Sequence, residues 1–227
     1  MTGHIIMAAL FTVLIAFPAA AEKFITLVGT TSTDNSGLYE KILPLFTAKT
    51  EIKVRLVSVG TGRAINIARN GDADILLVHH RPSEDKFVAE GYGVKRFDVM
   101  VNDFIIVGPE NDPAGIQGVK SVGEGLARIA AGENAFISRG DDSGTHKKEL
   151  SLWRMAGVDA AKASGKWYRE AGAGMGATLN TAAAMPAYTL TDRGTWLKFE
   201  NRGGLRMVVE NDPLLFNPYG VILVNPV

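Results

Sequence analysis

One local pattern occurs three times along the chain and limits the folds that the sequence can adopt. Each time, an apolar run typical of a β-strand leads into a turn of Ser, Thr and Gly, and the turn opens an amphipathic helix. The three turns read GTTST from Gly29, VGTG from Val59 and RGDDSGTH from Arg139. Strands that alternate with helices in this way predict an α/β fold with mostly parallel sheets.

The three turns also share the chemistry of an anion site. In open α/β sheets, ligands bind beyond the carboxyl ends of the strands, which is where these turns are predicted to lie. The first N–H groups of each helix lack a partner within the helix, and the helix dipole favours a negative ligand there. The side chains or backbone that could donate to such a ligand belong to Thr31, Ser32, Thr61, Ser143, Gly144 and Thr145.

Arg139 is the one full positive charge that we place among these donors. Its planar guanidinium can donate to two oxygens of an anion, and neutral donors around a single arginine favour a small oxyanion over a polyphosphate. Two other interpretations stay open. Ser143 precedes a helix and could be an N-cap, and Arg139 could brace its turn through Asp141 or Asp142.

The charge balance and the missing motifs narrow the function further. Lys plus Arg and Asp plus Glu number 24 each, so no basic excess favours nucleic acid or an anionic membrane. No spaced metal-ligand motif and no nucleophile elbow occurs, so we expect no metal and no cofactor. A hydrolase that uses Ser143 and His146 is the weaker alternative, because both residues lie in one helix start.

The N-terminus predicts export. The apolar run from Ile5 to Phe17 is too short to span a bilayer, and Ala19 and Ala21 form the small-x-small pattern of a cleavage site. Residues 1–21 are therefore predicted to be a signal peptide. Cysteine is absent, so an exported chain would have to fold without disulfides. We expect a periplasmic monomer that does not span the membrane.

In and around the three Ser/Thr/Gly turns the chain resembles the periplasmic tungstate-binding proteins of bacterial ABC importers, the TupA family. The stretches that carry the resemblance cover nearly all of the chain after residue 21: GTTSTDNSGL, VSVGTGRAINIARNGDADILLVH, VMVNDFIIVGPENDPAGI, FISRGDDSGTHKKELSLW, WYREAGAGMGATLNTA and AYTLTDRGTWL. A looser resemblance extends to the phosphate-binding importer proteins, which also place an arginine four residues before Ser-Gly-Thr.

The resemblance implies a two-lobed periplasmic-binding-protein fold of class II, with the ligand in the cleft between the lobes. It implies a first lobe that begins with residues 22–107, a second lobe at 108–213 and a return strand at 214–227. The expected oxyanion contacts are Thr31, Ser32, Thr61, Arg139, Ser143, Gly144 and Thr145, with His79 and Asp192 near the cleft. Family members continue past a stretch such as NPYGVILVNP, so a helical C-terminal part that covers the first lobe is expected to be missing.

The implied function is capture of a tetrahedral oxyanion, tungstate first and molybdate next, and its delivery to an ABC permease. The residues alone leave the ligand open. A phosphate site must accept a proton from its ligand, so it needs a carboxylate that faces the anion, and Asp34, Asp141 and Asp142 are the candidates. Without one, a fully deprotonated tungstate, molybdate or sulfate is favoured. A sensory or scaffold relative with the same fold is a further alternative.

Overall fold

A computed structural model describes residues 22–226, which form two lobes. The predicted signal peptide at residues 1–21 lies outside the described residues. Among the helices of the described range, none is long and apolar enough to cross a membrane.

Strands and helices alternate along the described chain. In chain order the strands are β1 (Phe24–Thr30), β2 (Lys53–Val59), β3 (Ile75–Val78), β4 (Gly93–Val101), β5 (Phe104–Pro109), β6 (Phe136–Ser138), β7 (Tyr168–Glu170), β8 (Thr189–Asp192), β9 (Leu205–Val209) and β10 (Pro218–Val224). The helices are α1 (Thr31–Asn35), α2 (Leu38–Thr50), α3 (Thr61–Arg69), α4 (Arg81–Ala89), α5 (Val122–Ala131), α6 (Gly144–Met155), α7 (Met175–Ala184) and α8 (Arg193–Lys198). Short 3₁₀ turns lie at Ala160–Ala163 and Pro213–Leu215.

The first lobe, residues 22–101 and 218–226, is built on a sheet with the strand order β2-β1-β3-β10-β4. β1 pairs in parallel with β2 and with β3, so the turns that follow β1 and β2 leave the same edge of the sheet. Helices α3 and α4 pack on one face over Val28, Leu76 and Ile222. Helix α2 packs on the other face over Leu27 and Leu77.

Helix α2 covers its face of the first sheet only in part. Ile75 and Val221 line an apolar groove beside Phe46, and the strand residues Leu223 and Phe97 are 49% and 47% exposed. By contrast, the opposite face buries Leu76 and Ile222 completely.

The second lobe, residues 104–215, combines the strand order β8-β5-β9 with the parallel pair β6-β7. The two parts join where Phe136 of β6 pairs with Tyr188, the residue before β8, and the Ile137 N–H donates to the Tyr188 carbonyl over 2.8 Å. Phe136, Trp153 and Tyr168 pack in the core on one side of these strands, and Ile137 and Trp196 pack in the core on the other side. β6 ends at Ser138, so Arg139 directly follows a strand of this lobe.

Over residues 22–226 the chain crosses between the lobes twice. β4 ends in the first sheet at Val101 and β5 begins in the second at Phe104, so the first crossing is formed by Asn102 and Asp103. It lies a few residues before the boundary expected at residue 107, because the run through β4 and β5 is extended throughout and its pattern does not show where it changes sheet. The second crossing is formed by residues 216–217 before β10 re-enters the first sheet.

The pattern of strand pairing follows from these crossings. The strands that belong to strand–helix units pair in parallel, as predicted. These parallel pairs are β1–β2, β1–β3 and β6–β7. The antiparallel pairs of the described sheets all involve β5 or β10, the strands that follow the two crossings. An α/β chain of two lobes is thus confirmed.

Candidate functional site

The three Ser/Thr/Gly turns meet between the two lobes. α1 and α3 begin at Thr31 and Thr61 in the first lobe, and α6 begins at Gly144 in the second. Two hydrogen bonds connect them: Arg139 Nη2 donates to Thr31 Oγ1 over 3.3 Å, and the Gly144 N–H donates to Thr61 Oγ1 over 3.2 Å. Turns that are far apart in the sequence therefore form one cluster at the interlobe cleft.

Arg139 is the most buried charge of this cluster, with 1% of its surface exposed. It follows β6 directly, and its guanidinium forms an ion pair with Asp141 in the same turn. Its Nε is buried and has no hydrogen-bond partner among the described residues. An unpaired donor on a buried arginine is costly, so this N–H is a strong candidate for a bond to a ligand.

The start of α6 supplies three further predicted residues, all buried. The Ser143 Oγ accepts a bond from the His146 N–H over 3.1 Å, which confirms that Ser143 is the N-cap. A hydroxyl that accepts in this way keeps its own proton for a second partner. The Thr145 Oγ1 has no hydrogen-bond partner within the described chain. A Cβ on Gly144 would lie 2.9 Å from Thr61 Oγ1, so glycine allows the two lobes to approach here.

The start of α7 also lies beside this cluster, although it is not among the predicted site residues. The Ala173 N–H donates to the carbonyl of Arg139 over 3.2 Å, and a Cβ on Gly174, the N-cap of α7, would lie 3.7 Å from Thr31 Oγ1. A fourth helix therefore begins beside Thr31 and Arg139. The glycine-rich run GAGMG, which leads into a helix, was the available sequence signal.

The three aspartates that could face an oxyanion differ in position. Asp34 is exposed, and so is Asp142, whose side chain lies next to Gly62 and Lys147. Asp141 is partly buried: one carboxylate oxygen pairs with Arg139, and the other accepts from the Ser143 N–H over 3.2 Å. One carboxylate therefore lies within the cluster and competes with any anion for Arg139.

His79 links the cluster to a crossing segment. Its Nε2 lies 3.4 Å from Ser32 Oγ, its Nδ1 lies 3.0 Å from Asn217 Oδ1, and its ring stacks on Tyr219 with 4.6 Å between centroids. Burial lowers the pKa of His79 to about 4, so the ring is neutral at pH 7. His79 therefore contributes hydrogen bonds, not charge.

Asp192 caps a helix beside the other crossing. One carboxylate oxygen accepts from the Thr195 N–H over 2.8 Å and from Asn102 Nδ2 over 2.7 Å. The side chain is fully buried, and burial raises its pKa above the usual aspartate value. Asp192 therefore lies beside the first crossing, where it holds the first turn of α8 against Asn102.

The geometry does not favour a nucleophile at Ser143. The His146 ring accepts a bond from the Asp142 N–H over 3.2 Å, and its contact with Ser143 is through the backbone N–H. Among the histidines that the structure describes, none is hydrogen-bonded to the Ser143 hydroxyl as a general base would be. Within residues 22–226 there is also no group of three His, Asp or Glu side chains that could hold a metal ion.

Comparisons with known proteins identify the family. The model of the PBP superfamily domain matches residues 17–227. The chain is 49% identical over 208 residues to the tungstate-binding protein TupA of Peptoclostridium acidaminophilum, a match that covers 91% of this chain and 72% of that protein. This chain belongs to the TupA family. The crystal structure of the tungstate ABC transporter from Geobacter sulfurreducens has the same fold, with a TM-score of 0.82 at 50% identity over 91% of this chain and 87% of that one.

A further relative of this TupA-family chain is described as an ABC transporter anion-binding protein of Haloferax volcanii. The two are 51% identical over 207 residues, which make up 89% of this chain and 60% of that protein. The chain thus spans less than two thirds of that relative's length. The two-lobed fold that the resemblance implied is confirmed by the superfamily match and by the Geobacter structure, and the relatives carry the names of a tungstate-binding and an anion-binding protein.

Proposed function

We propose that this chain is the periplasmic binding component of a bacterial ABC importer, and that it captures a tetrahedral oxyanion between its two lobes. Tungstate is the proposed ligand and molybdate the next best. The observation that carries the proposal is the pair of buried, unpartnered polar groups at the cleft, Arg139 Nε and Thr145 Oγ1. Both can donate to an anion, and they lie where four helices begin.

Four of the five remaining predicted residues complete a shell of donors, whereas the fifth, Ser32, has its hydroxyl 3.4 Å from His79 Nε2. Thr31 and Thr61 supply hydroxyls from the first lobe, and Ser143 supplies a hydroxyl whose lone pair is used by the cap and whose proton is available. The Gly144 N–H, which now donates to Thr61 over 3.2 Å, can exchange that partner for an anion oxygen. One arginine surrounded by neutral donors suits a small dianion that carries no proton.

Phosphate is the second candidate, and one observation favours it. The Asp141 carboxylate lies beside Arg139 and could accept the proton of hydrogen phosphate. The same carboxylate would repel a fully deprotonated anion unless Arg139 neutralised it. The relatives' names favour tungstate, so phosphate takes second place.

Calorimetric titration of the purified protein with tungstate, molybdate, sulfate and phosphate tests this proposal. We expect the tightest binding with tungstate and the next tightest with molybdate. Phosphate binding that is tighter than tungstate binding would favour the second candidate. If none of the four anions binds, the oxyanion function is wrong.

We further propose that the protein is a monomer, that the closed form docks on a permease, and that export removes residues 1–21. The N-terminus of periplasmic material should then be Glu22. Tungstate should reduce the radius of gyration in solution scattering, because an anion held by both lobes stabilises their closed arrangement. An unchanged radius at saturating tungstate would argue against closure.

A further inference from the structure

Ser32 is held from both lobes at once. Its hydroxyl lies 3.4 Å from His79 Nε2 in its own lobe, and its carbonyl oxygen accepts a bond of 3.2 Å from the Thr195 hydroxyl of the second lobe. All three residues are at least 95% buried. Neither Thr195 nor its contact with Ser32 belongs to the proposed set of anion donors.

These two contacts are part of a closed ring of hydrogen bonds. The Thr195 N–H donates to the Asp192 carboxylate over 2.8 Å, and Asn102 Nδ2 donates to the same carboxylate oxygen over 2.7 Å. The two crossing segments pair with each other, because Asn102 N–H donates to the Asn217 carbonyl over 3.1 Å and Asn217 Nδ2 donates to the Asn102 carbonyl over 2.7 Å.

The bonds of Asn217 determine which ring nitrogen of His79 carries the proton. Since Asn217 Nδ2 donates to Asn102, the Asn217 Oδ1 faces His79 and must accept from its Nδ1–H at 3.0 Å. The His79 Nε2 then carries a lone pair and accepts from the Ser32 hydroxyl. Every link of the ring therefore has one donor and one acceptor. The ring runs through Ser32, His79, Asn217, Asn102, Asp192 and Thr195.

One link of this ring differs from the Arg139–Thr31 and Gly144–Thr61 contacts across the cleft. An anion can take over the donors of the Arg139–Thr31 and Gly144–Thr61 contacts, because both use groups that donate to anions. It does not replace the Thr195–Ser32 bond in the same way. If the Thr195 hydroxyl turned to an anion, the Ser32 carbonyl oxygen, which can only accept, would lose its donor, whereas the Thr31 and Thr61 hydroxyls can themselves donate to the anion. This bond joins the lobes without competing with the ligand.

We propose that Thr195 is a positioning residue of the oxyanion site: from the second lobe it holds Ser32, and with it the start of α1, in the arrangement that binds the anion. The inference rests on the proposed oxyanion function. Its consequence is that Thr195 stabilises the closed, ligand-bound form although it does not touch the ligand. Loss of its hydroxyl should therefore speed ligand release more than it slows ligand capture.

Three variants test the proposal with tungstate as the probe. Thr195→Val keeps the shape and the backbone N–H bond to Asp192 but removes the hydroxyl, whereas Thr195→Ser restores it. Thr189→Val is the matched control, because the Thr189 hydroxyl is equally buried and donates to the Ile137 carbonyl over 2.7 Å within the second lobe. Dissociation constants, both rate constants and the melting temperature of the free protein are measured for each.

We expect Thr195→Val to weaken tungstate binding roughly three- to tenfold, as the loss of one buried hydrogen bond would, mainly through a faster dissociation rate. Thr195→Ser should bind within about twofold of the wild type. Thr189→Val should lower the melting temperature and leave affinity unchanged. If Thr195→Val lowers only the melting temperature, or if Thr189→Val loses as much affinity, Thr195 is merely structural and the proposal is wrong.

Hydrogen exchange of the ligand-free protein separates this inference from the proposed function. The α1 amides should exchange faster in Thr195→Val than in the wild type, Thr195→Ser or Thr189→Val. If the wild type binds no oxyanion, the proposed function fails. The exchange measurement still tests whether the Thr195–Ser32 bond holds the start of α1. Unchanged exchange at α1 in Thr195→Val would overturn the inference whether or not tungstate binds.

Discussion

Arg139 and Thr31 are hydrogen bonded across the cleft, with 3.3 Å between Nη2 and Oγ1, although 108 positions separate them in the sequence. The same guanidinium nitrogen also contacts Asp141 in its own turn. Arg139 therefore belongs to both lobes of the site, and its Nε remains without a partner among the described residues. This arrangement is compatible with anion binding and with a bracing role, and substitutions distinguish the two.

Replacement of Arg139 should weaken tungstate binding more than any other single change. Charge-assisted bonds contribute about 1.5–3 kcal/mol, so Arg139→Ala should lower affinity roughly 10- to 150-fold. Arg139→Lys keeps the charge but loses the planar pair of donors, so its loss should be smaller but measurable. Calorimetric titration of folded variants gives both values.

The double variant Arg139→Ala with Asp141→Asn is the control for stability, because Arg139→Ala alone leaves the partly buried Asp141 carboxylate unpaired. Near-normal tungstate affinity in a folded Arg139→Ala protein, together with a lower melting temperature, would mean that Arg139 only braces its turn.

Asp141→Asn should increase the preference for tungstate over phosphate. Without the carboxylate, Arg139 is free for a fully deprotonated anion, so tungstate affinity should be kept or raised. Hydrogen phosphate loses the acceptor for its proton, and the ratio of the two affinities should rise roughly tenfold, equivalent to about 1.4 kcal/mol. Paired titrations with tungstate and phosphate measure this ratio.

The neighbouring Asp142→Asn variant makes the same change of charge on a side chain that is 75% exposed and pairs with Lys147. We expect it to leave the ratio nearly unchanged. An equal effect in both variants would assign it to net charge rather than to the Asp141–Arg139 contact.

Gly144→Ala should weaken ligand binding by holding the lobes apart. The new Cβ would lie 2.9 Å from Thr61 Oγ1 and 3.0 Å from His79 Cε1, both in the first lobe. Overpacking costs about 1–3 kcal/mol, which corresponds to a loss of roughly 5- to 100-fold in tungstate affinity. Gly123→Ala is the matched control: Gly123 also lies in a first helical turn after a capping serine, but its nearest neighbour, Ser121 Oγ, is 3.6 Å away. Equal losses in both variants would contradict the prediction.

Glu149 should make the protein less stable as pH rises. Its carboxyl accepts from the Tyr168 hydroxyl over 2.7 Å, and burial raises its pKa from 4.5 to about 7. The folded protein thus keeps a proton that the unfolded chain releases, so the stabilising contribution is fully present below pH 4.5 and is lost as pH rises through about 7. The loss is on the order of 3 kcal/mol, at roughly 1.4 kcal/mol per pKa unit.

Glu149→Gln removes this titration and should gain stability relative to the wild type between pH 5 and pH 8, as measured by urea unfolding. His79 titrates in the opposite sense: its pKa is lowered to about 4, so its contribution is present above pH 6.5 and is lost on acidification. The comparison of the two proteins at each pH cancels the contribution of His79. A difference that does not change with pH would show that the Glu149 carboxyl is ionised in the folded protein throughout this range.

Residues close in the sequence determined the local structure of the site. The strand, turn and helix around Arg139 and the Ser143 cap follow from the order of apolar, glycine and hydroxyl residues over about three helical turns. The resemblance then extended this local pattern to a family and to a two-lobed fold. The patterns that repeat at Thr31, Thr61 and Ser143 were sufficient to predict three helix starts of the same kind.

The tertiary structure alone decided which of these segments meet. The extended run through Asn102 gave no sign that it changes sheet, because both of its halves have the same strand periodicity. The GAGMG run that leads into α7 did not show that it lies beside Thr31. The contact between Thr195 and Ser32 spans 163 positions. Caps and periodicity depend on neighbours within a few residues, whereas contacts at such separations depend on how two lobes pack, and no local pattern encodes that packing.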